Sequence, residues 1–219
     1  MKKGGRVFKS RDWKERLSFS RDLGTGFAAP GGEFTRALYE LSLTPSGLFL
    51  NQLLKGRRVV ELGAGMMPYG YALAASCEAK NFVAVEPFYA DKQKSSILAL
   101  IEDRGNSLNR IPYKVEEKDM LEYLKDEADD LLCVLACGIE DCILPDIAYR
   151  KGVEGEIYRA LEKDAFFLSS HSDLHPQGLQ VLEMNFRRPA NPKVFDRLRL
   201  HGKKDAISKY GDVLSNQVI

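Results

Sequence analysis

Between Arg58 and Ser170 one pattern recurs: a short, largely apolar run, a break, and a stretch with helical character. "RVVEL" (58–62), "NFVAVEPF" (81–88), "IPYKVEE" (111–117), "LLCVLAC" (131–137) and "AFFLSS" (165–170) read as strands. "GYALAASCEA" (70–79), "DKQKSSILALIEDRG" (91–105), "MLEYLKDE" (120–127) and "GVEGEIYRALEKD" (152–164) read as the helices between them. The strands lack a clean two-residue alternation, which predicts burial on both faces and hence parallel neighbours. Strict strand–helix alternation predicts right-handed crossovers in an open, doubly wound α/β sheet with helices on both faces. The rhythm stops after Ser170. "LQVLEMNF" and "KVFDRLRLHGKK" have no long helix between them and read as an antiparallel hairpin, bringing a mostly parallel sheet to seven strands.

Upstream, residues 1–18 read as a loose arm, and Ser20–Phe34 ("SRDLGTGFAAPGGEF") as a glycine-rich loop of the kind that closes over ligands. "TPSGLFLNQLLKG" is a marked helix, with Thr44 to cap it, Pro45 at its start, a leucine stripe, and Gly56 to end it. The division expected is an N-terminal arm, loop and helical cap over 1–56 and the α/β domain over 57–219.

A chain of 219 residues, 44% hydrophobic and 29% charged, supports one core of this type. Its net charge of +1 commits it to no polyanion and no membrane surface. The charge is uneven, however. Seven basic residues stand against Asp12 and Glu15 in the first sixteen, a second basic cluster runs from Arg187 to Lys204, and Glu116–Asp130 is acidic. The basic ends read first as solvated faces and a mobile arm; the sharper alternative is a rim that attracts an anionic substrate, with a route to nucleic acid that no motif favours. Cys77, Cys133, Cys137 and Cys142 make no C-x-x-C pair and no disulfide framework, so a reducing compartment, the cytoplasm, is expected. The basic N-terminus leads into no apolar signal core, and the longest apolar run, 131–137, is too short to cross a bilayer.

In a doubly wound sheet, ligands bind at the carboxyl ends of the strands. The turn after the first strand reads Glu61-Leu-Gly63-Ala64-Gly65-Met66-Met67-Pro68. A nicotinamide or flavin site prefers G-x-G-x-x-G, and here Pro68 stands where the third glycine belongs. Glu61 close to the turn repels a pyrophosphate and attracts an ammonium. Glu86 follows the second strand, where an acid accepts hydrogen bonds from a ribose diol. Asp119 follows the third, within reach of an adenine amine, and is also a candidate cap for the helix at Met120. Pro87 and Phe88 are placed to wall the adenine.

In this order and at these spacings the motifs resemble those of the class I S-adenosylmethionine-dependent methyltransferases. "VVELGAG" is similar to their first motif, "VAVEPF" to the second, "EEKDML" to the third, "DDLLCVLACGIED" to the fourth, and "IYRALEKDAFFLSSHSD" to the segment ending in the fifth strand. In that last segment Lys163-Asp164 replaces the usual Pro-Gly turn. The resemblance covers 57–173. It implies that Glu61, Gly63, Ala64 and Gly65 hold the methionine end of S-adenosyl-L-methionine, that Glu86 holds the ribose and Asp119 the adenine, and that Pro87, Met120 and Cys137 complete the cofactor-binding set. It implies methyl transfer to an acceptor, expected to be a small molecule. An RNA- or protein-directed methyltransferase, a non-catalytic cofactor-binding module and, last, an NAD-dependent oxidoreductase are the alternatives. For the catalytic base the candidates are His171 and Glu140, with Asp141 and Tyr149 behind them. A cysteine nucleophile at Cys137 is disfavoured by its context, "LACGIE". His171, Asp173 and His175 are spaced for a metal only weakly, and no metal is expected.

Overall fold

In a computed structural model of the chain, residues 28–139, 144 and 146–215 are described. Seven strands form one sheet: β1 (Arg58–Leu62), β2 (Asn81–Val85), β3 (Tyr113–Glu116), β4 (Cys133–Cys137), β5 (Phe166–Ser170), β6 (Gln180–Arg188) and β7 (Asn191–Gly202). Their spatial order is β3-β2-β1-β4-β5-β7-β6. The first five are mutually parallel, whereas β7 runs antiparallel to both β5 and β6. Among the described residues the α-helices are α1 (Ala28–Ser42), α2 (Leu48–Leu54), α3 (Tyr69–Ser76), α4 (Ala90–Arg104), α5 (Met120–Asp126), α6 (Ile147–Ala160) and α7 (Lys204–Ser215).

The burial patterns explain why the chain takes this form. Every residue of β4 and β5 is buried, as is β1 after Arg58, because helices cover both faces. The hairpin instead alternates. Met184, Phe186, Asp196, Leu198 and Leu200 point inward, while Glu183, Asn185, Phe195 and Arg197 are exposed on the other face. α1 packs on α3, α5 packs on α6, and α7 closes over β6 and β7. The core therefore runs as one body from Leu38 through Phe49, Phe82 and Phe166 to Phe186. Each such aromatic, fully buried, contributes roughly 1.5–3 kcal/mol.

Several boundaries depart from the sequence reading. Residues 28–34, expected in a loop, are the first turns of α1, and the remainder of that stretch lies outside the described residues, as does the arm over 1–18. Pro30 falls in the opening turn, where its missing N–H removes no helical bond. Gly32 sits where a side chain would meet Met67, at 2.8 Å from its Cγ. α6 begins at Ile147 and not at 152, because Asp146 caps it by accepting from the Tyr149 N–H at 2.7 Å. It ends at Ala160; Leu161 instead bridges to Leu132. β2 stops at Val85, since the Glu86 side chain then draws the backbone into a turn. α7, which begins at Lys204 and is not expected from the sequence, is anchored by Ala206, Ile207 and Tyr210.

Lys163-Asp164, the pair in place of a Pro-Gly turn, has a structural role at Asp164. The Arg57 guanidinium, at the foot of β1, donates to Glu162, to the Asp164 carboxylate at 2.8 Å and to the Asp164 carbonyl at 3.1 Å. Lys209 of α7 joins the same carboxylate. These contacts hold Asp164 well below the usual carboxylate range.

Candidate active site

Gly63 and Gly65 adopt φ of +64° and +65°, the left-handed region that only glycine enters freely. The Gly63 and Ala64 N–H groups both donate to the Val85 carbonyl, at 2.9 and 3.2 Å, so the turn is tied to the end of β2. A Cβ on Gly63 would stand 2.5 Å from Ile139 Cδ1. Pro68, which displaces the third glycine of a dinucleotide loop, is the N-cap of α3, and its carbonyl accepts from Ala72 at 3.0 Å.

Glu61, at the end of β1, is 3% exposed. Its Oε1 accepts from Thr35 Oγ of α1 at 3.1 Å, whereas Oε2 has no partner among the described residues. Burial, with a smaller push from Glu86, raises its pKa to about 8. Oε2 lies against Gly70 in the first turn of α3, where any Cβ would come within 2.0 Å. A buried carboxylate oxygen without a donor is costly unless something supplies one. An ammonium fits that need, and the positive end of α3 favours the ionised carboxylate with which such an ammonium would pair.

Glu86 is also buried. Its Oε2 accepts the Gly65 N–H at 2.7 Å, and its Oε1 accepts those of Phe88 and Tyr89 at 2.9 and 3.3 Å. Its first structural task is thus to pin the glycine turn to the β2 turn. Oε2, holding one N–H, retains capacity for a hydroxyl. Phe88 and Tyr89, with Asp91, Lys92 and Glu117, line a cleft of about 220 Å³ beside it. Pro87, between Glu86 and Phe88 in the chain, is half-buried. Asp119 Oδ1 accepts from the Glu122 N–H at 2.9 Å and from Tyr149 Oη at 3.1 Å, so the acid caps α5 and anchors α6 at once. Met120 is buried behind it. Burial, and then the Asp119 charge, push the Tyr149 phenol far above its ordinary value, which unsuits it to act as a base at neutral pH.

At the ends of β4 and β5, Cys137 is buried and its thiol is pushed up to about 12 by burial and then by Glu61. A thiol so placed does not supply a thiolate nucleophile. Glu140 and Asp141, named as catalytic candidates, lie outside the described residues. His171 is described, and its surroundings are elaborate. It has φ +49°, rare for a residue with a side chain. Its ring stacks on Phe34 of α1, with centroids 3.7 Å apart, and its Nε2 lies 3.3 Å from Oδ1 of the buried Asp196. Arg188 grips the same carboxylate at 2.5 and 3.1 Å and lies over the Phe34 ring. The His175 ring turns elsewhere, toward the His201 ring, and its backbone N–H donates to Glu154 at 2.8 Å. Among the described residues, no three His, Cys, Asp or Glu side chains group to hold a metal.

The sequence reading missed Thr35, Phe34, Arg188 and Asp196. None belongs to a motif, and they meet Glu61 or His171 only because α1 and the hairpin fold over the strand ends.

No family model and no curated protein matches this chain. Solved structures do. The 1,6-didemethyltoxoflavin-N1-methyltransferase of Burkholderia thailandensis, solved with bound 1,6-didemethyltoxoflavin and S-adenosylhomocysteine, superposes with a TM-score of 0.51 over 89% of this chain and 87% of its own, at 13% identity. A methyltransferase from Geobacter sulfurreducens gives 0.50 over 93% and 91%, at 14% identity. A methylase from Haemophilus influenzae gives 0.50 over 72% and 85%, at 12% identity. The chain has the class I methyltransferase fold. Within that fold, the glycine turn, Glu61 and Glu86 stand at the carboxyl ends of β1 and β2, and His171 stands beyond β5, across β4 from them.

Proposed function

We propose that the protein binds S-adenosyl-L-methionine across the ends of β1, β2 and β3 and transfers its methyl group to a small-molecule acceptor near the ends of β4 and β5. The observation that carries this reading is Glu61: a buried carboxylate oxygen with no donor among the described residues, beside a positive-φ glycine turn and the start of a helix. Glu61 would take the ammonium, Glu86 Oε2 a ribose hydroxyl, and Asp119 the adenine side. When bound, the cofactor supplies an activated methyl group, whose bond to sulfur breaks as a bond to the acceptor's nucleophile forms, leaving the electron pair on sulfur.

Catalysis of such a displacement is mostly positioning, with a base needed where the acceptor atom carries a proton. His171 suits that task. A carboxylate only accepts hydrogen bonds, so Asp196 fixes the His171 proton on Nε2 and leaves the lone pair on Nδ1. Asp196, Arg188 and Phe34 are positioning residues for that ring.

Calorimetry with S-adenosylmethionine and S-adenosylhomocysteine tests the reading. Both should bind the wild type, and Glu86→Ala should weaken them by about tenfold or more, the loss expected for a charge-assisted bond. No binding of either compound, or equal binding by the variant, refutes it. Binding of NADH in their place would return the chain to the oxidoreductase alternative.

A further inference from the structure

A groove of about 500 Å³ opens between the loop after β5 and the outward face of the β6–β7 hairpin. His171, Ser172 and Asp173 form one wall; Asn185, Phe195, Arg197 and Arg199 supply most of the other. Such a volume suits one drug-sized molecule. The strand register sets Arg197 opposite Asn185 and Phe195 opposite Arg187. Phe195 is 57% exposed, unusual for a phenylalanine, and the Arg187 guanidinium lies 5.0 Å from its ring centre. Two residues along the same face, Arg197 is 54% exposed, and its ion pair with Glu183 is loose at 3.9 Å. Arg199, by contrast, is held by Glu183 at 2.9 Å and by the Ser172 carbonyl at 3.3 Å. The groove therefore offers one exposed ring, one loosely held guanidinium and one amide, with the positioned His171 in its wall.

We propose that this groove is the acceptor site, and that the acceptor is a small planar aromatic molecule bearing a phosphate or carboxylate. The assignment deepens the methyltransferase reading and rests on it for the reaction, though not for the binding. A ring stacks on Phe195, the anionic group takes a forked pair of bonds from Arg197, and Asn185 orients a polar edge. Glu183 and Asp173 interrupt the positive charge on this face, so it serves one anionic group and not a continuous phosphate backbone.

The test uses phenyl phosphate, with benzyl alcohol as its uncharged counterpart and a hexauridylate as the RNA arm, followed by ligand-observed NMR. Phenyl phosphate should bind in clear preference to benzyl alcohol, and Arg197→Gln and Phe195→Ala should each weaken it by about tenfold. Both side chains are more than half exposed, so folding is not at stake. Equal binding by wild type and both variants, or equal binding of the two small probes, overturns the proposal. Tighter binding of hexauridylate, weakened by the same substitutions, overturns it in favour of RNA. S-adenosylmethionine calorimetry on the same samples separates the two readings: its failure removes the methyltransferase reaction and leaves the groove's preference for the anion standing.

Discussion

Glu61 and Gly70 form a tight pair, and each makes a measurable demand. The Glu61 carboxyl, raised from an ordinary 4.5 to about 8, is largely protonated at neutral pH. The unfolded chain loses that proton first as pH rises. Glu61 therefore favours the folded state fully below about 4.5, and the contribution is lost as pH climbs through about 8. An ammonium placed beside Oε2 reverses the preference and ionises the acid. Binding of S-adenosylmethionine near pH 7 should thus release about one proton, read as a dependence of the observed heat on the buffer's ionisation enthalpy. Glu61→Gln should flatten that dependence; a flat response in the wild type would count against an ammonium at this oxygen. Gly70 is a helical residue, and replacing such a glycine by alanine ordinarily gains up to about 1 kcal/mol. Here the new methyl would fall 2.0 Å from Glu61 Oε2, so Gly70→Ala should instead lose about 2–3 kcal/mol. Chemical denaturation gives the sign directly, and a stabilised variant would show that the carboxylate moves aside freely.

At the scale of elements, β7 carries a pH liability of its own. His201 sits between β5 and β6, with Ser169 Oγ 3.1 Å from its Nε2. Burial first, then His175 and Arg199, lower its pKa from 6.5 to about 4. The ring is neutral in the folded strand, while the unfolded chain takes up a proton below 6.5. Stability should therefore fall between pH 6.5 and 4 by about 3 kcal/mol from this residue. His201→Gln should lose less stability than the wild type between pH 7 and 4.5 in urea titrations; identical losses would place the acid sensitivity elsewhere. Most of the elements were legible because apolar runs of strand length and helical stripes are local signals. The errors fell where a side chain decides the boundary: Asp146 starting α6 early, Glu86 ending β2 early, and Met67 receiving Gly32 of α1. Pro and Gly in "AAPGGEF" read as loop, yet in the first turns of a helix they cost little.

Across the whole molecule, the sequence points to the ends of β1, β2 and β3 as the edge to expect a ligand at, because each closes with an acid near a turn. It says far less about the opposite side. Phe34, Arg188 and Asp196 come from α1 and the hairpin, and no periodicity marks a residue that acts only across a tertiary contact. The likeness to methyltransferases at 12–14% identity has the same origin. The order of strands is kept by burial on both faces, which many sequences satisfy, while the loops beyond the strand ends are free to differ.

The hairpin is threaded so that the later strand lies inside the sheet and the earlier one at its rim. During synthesis, β5 is complete at Ser170, but its pairing partner spans Asn191–Gly202. Until that segment leaves the ribosome, the free edge of β5 has no native neighbour in the chain, and β6 has nothing on which to dock. A nascent protein with this order carries an open, apolar strand edge through a late stage of translation, when wrong pairing is easiest. Slowed elongation over the codons between Ser170 and Gly202 would lengthen that exposure, so synonymous changes there should lower the soluble yield more than the same changes placed before β1.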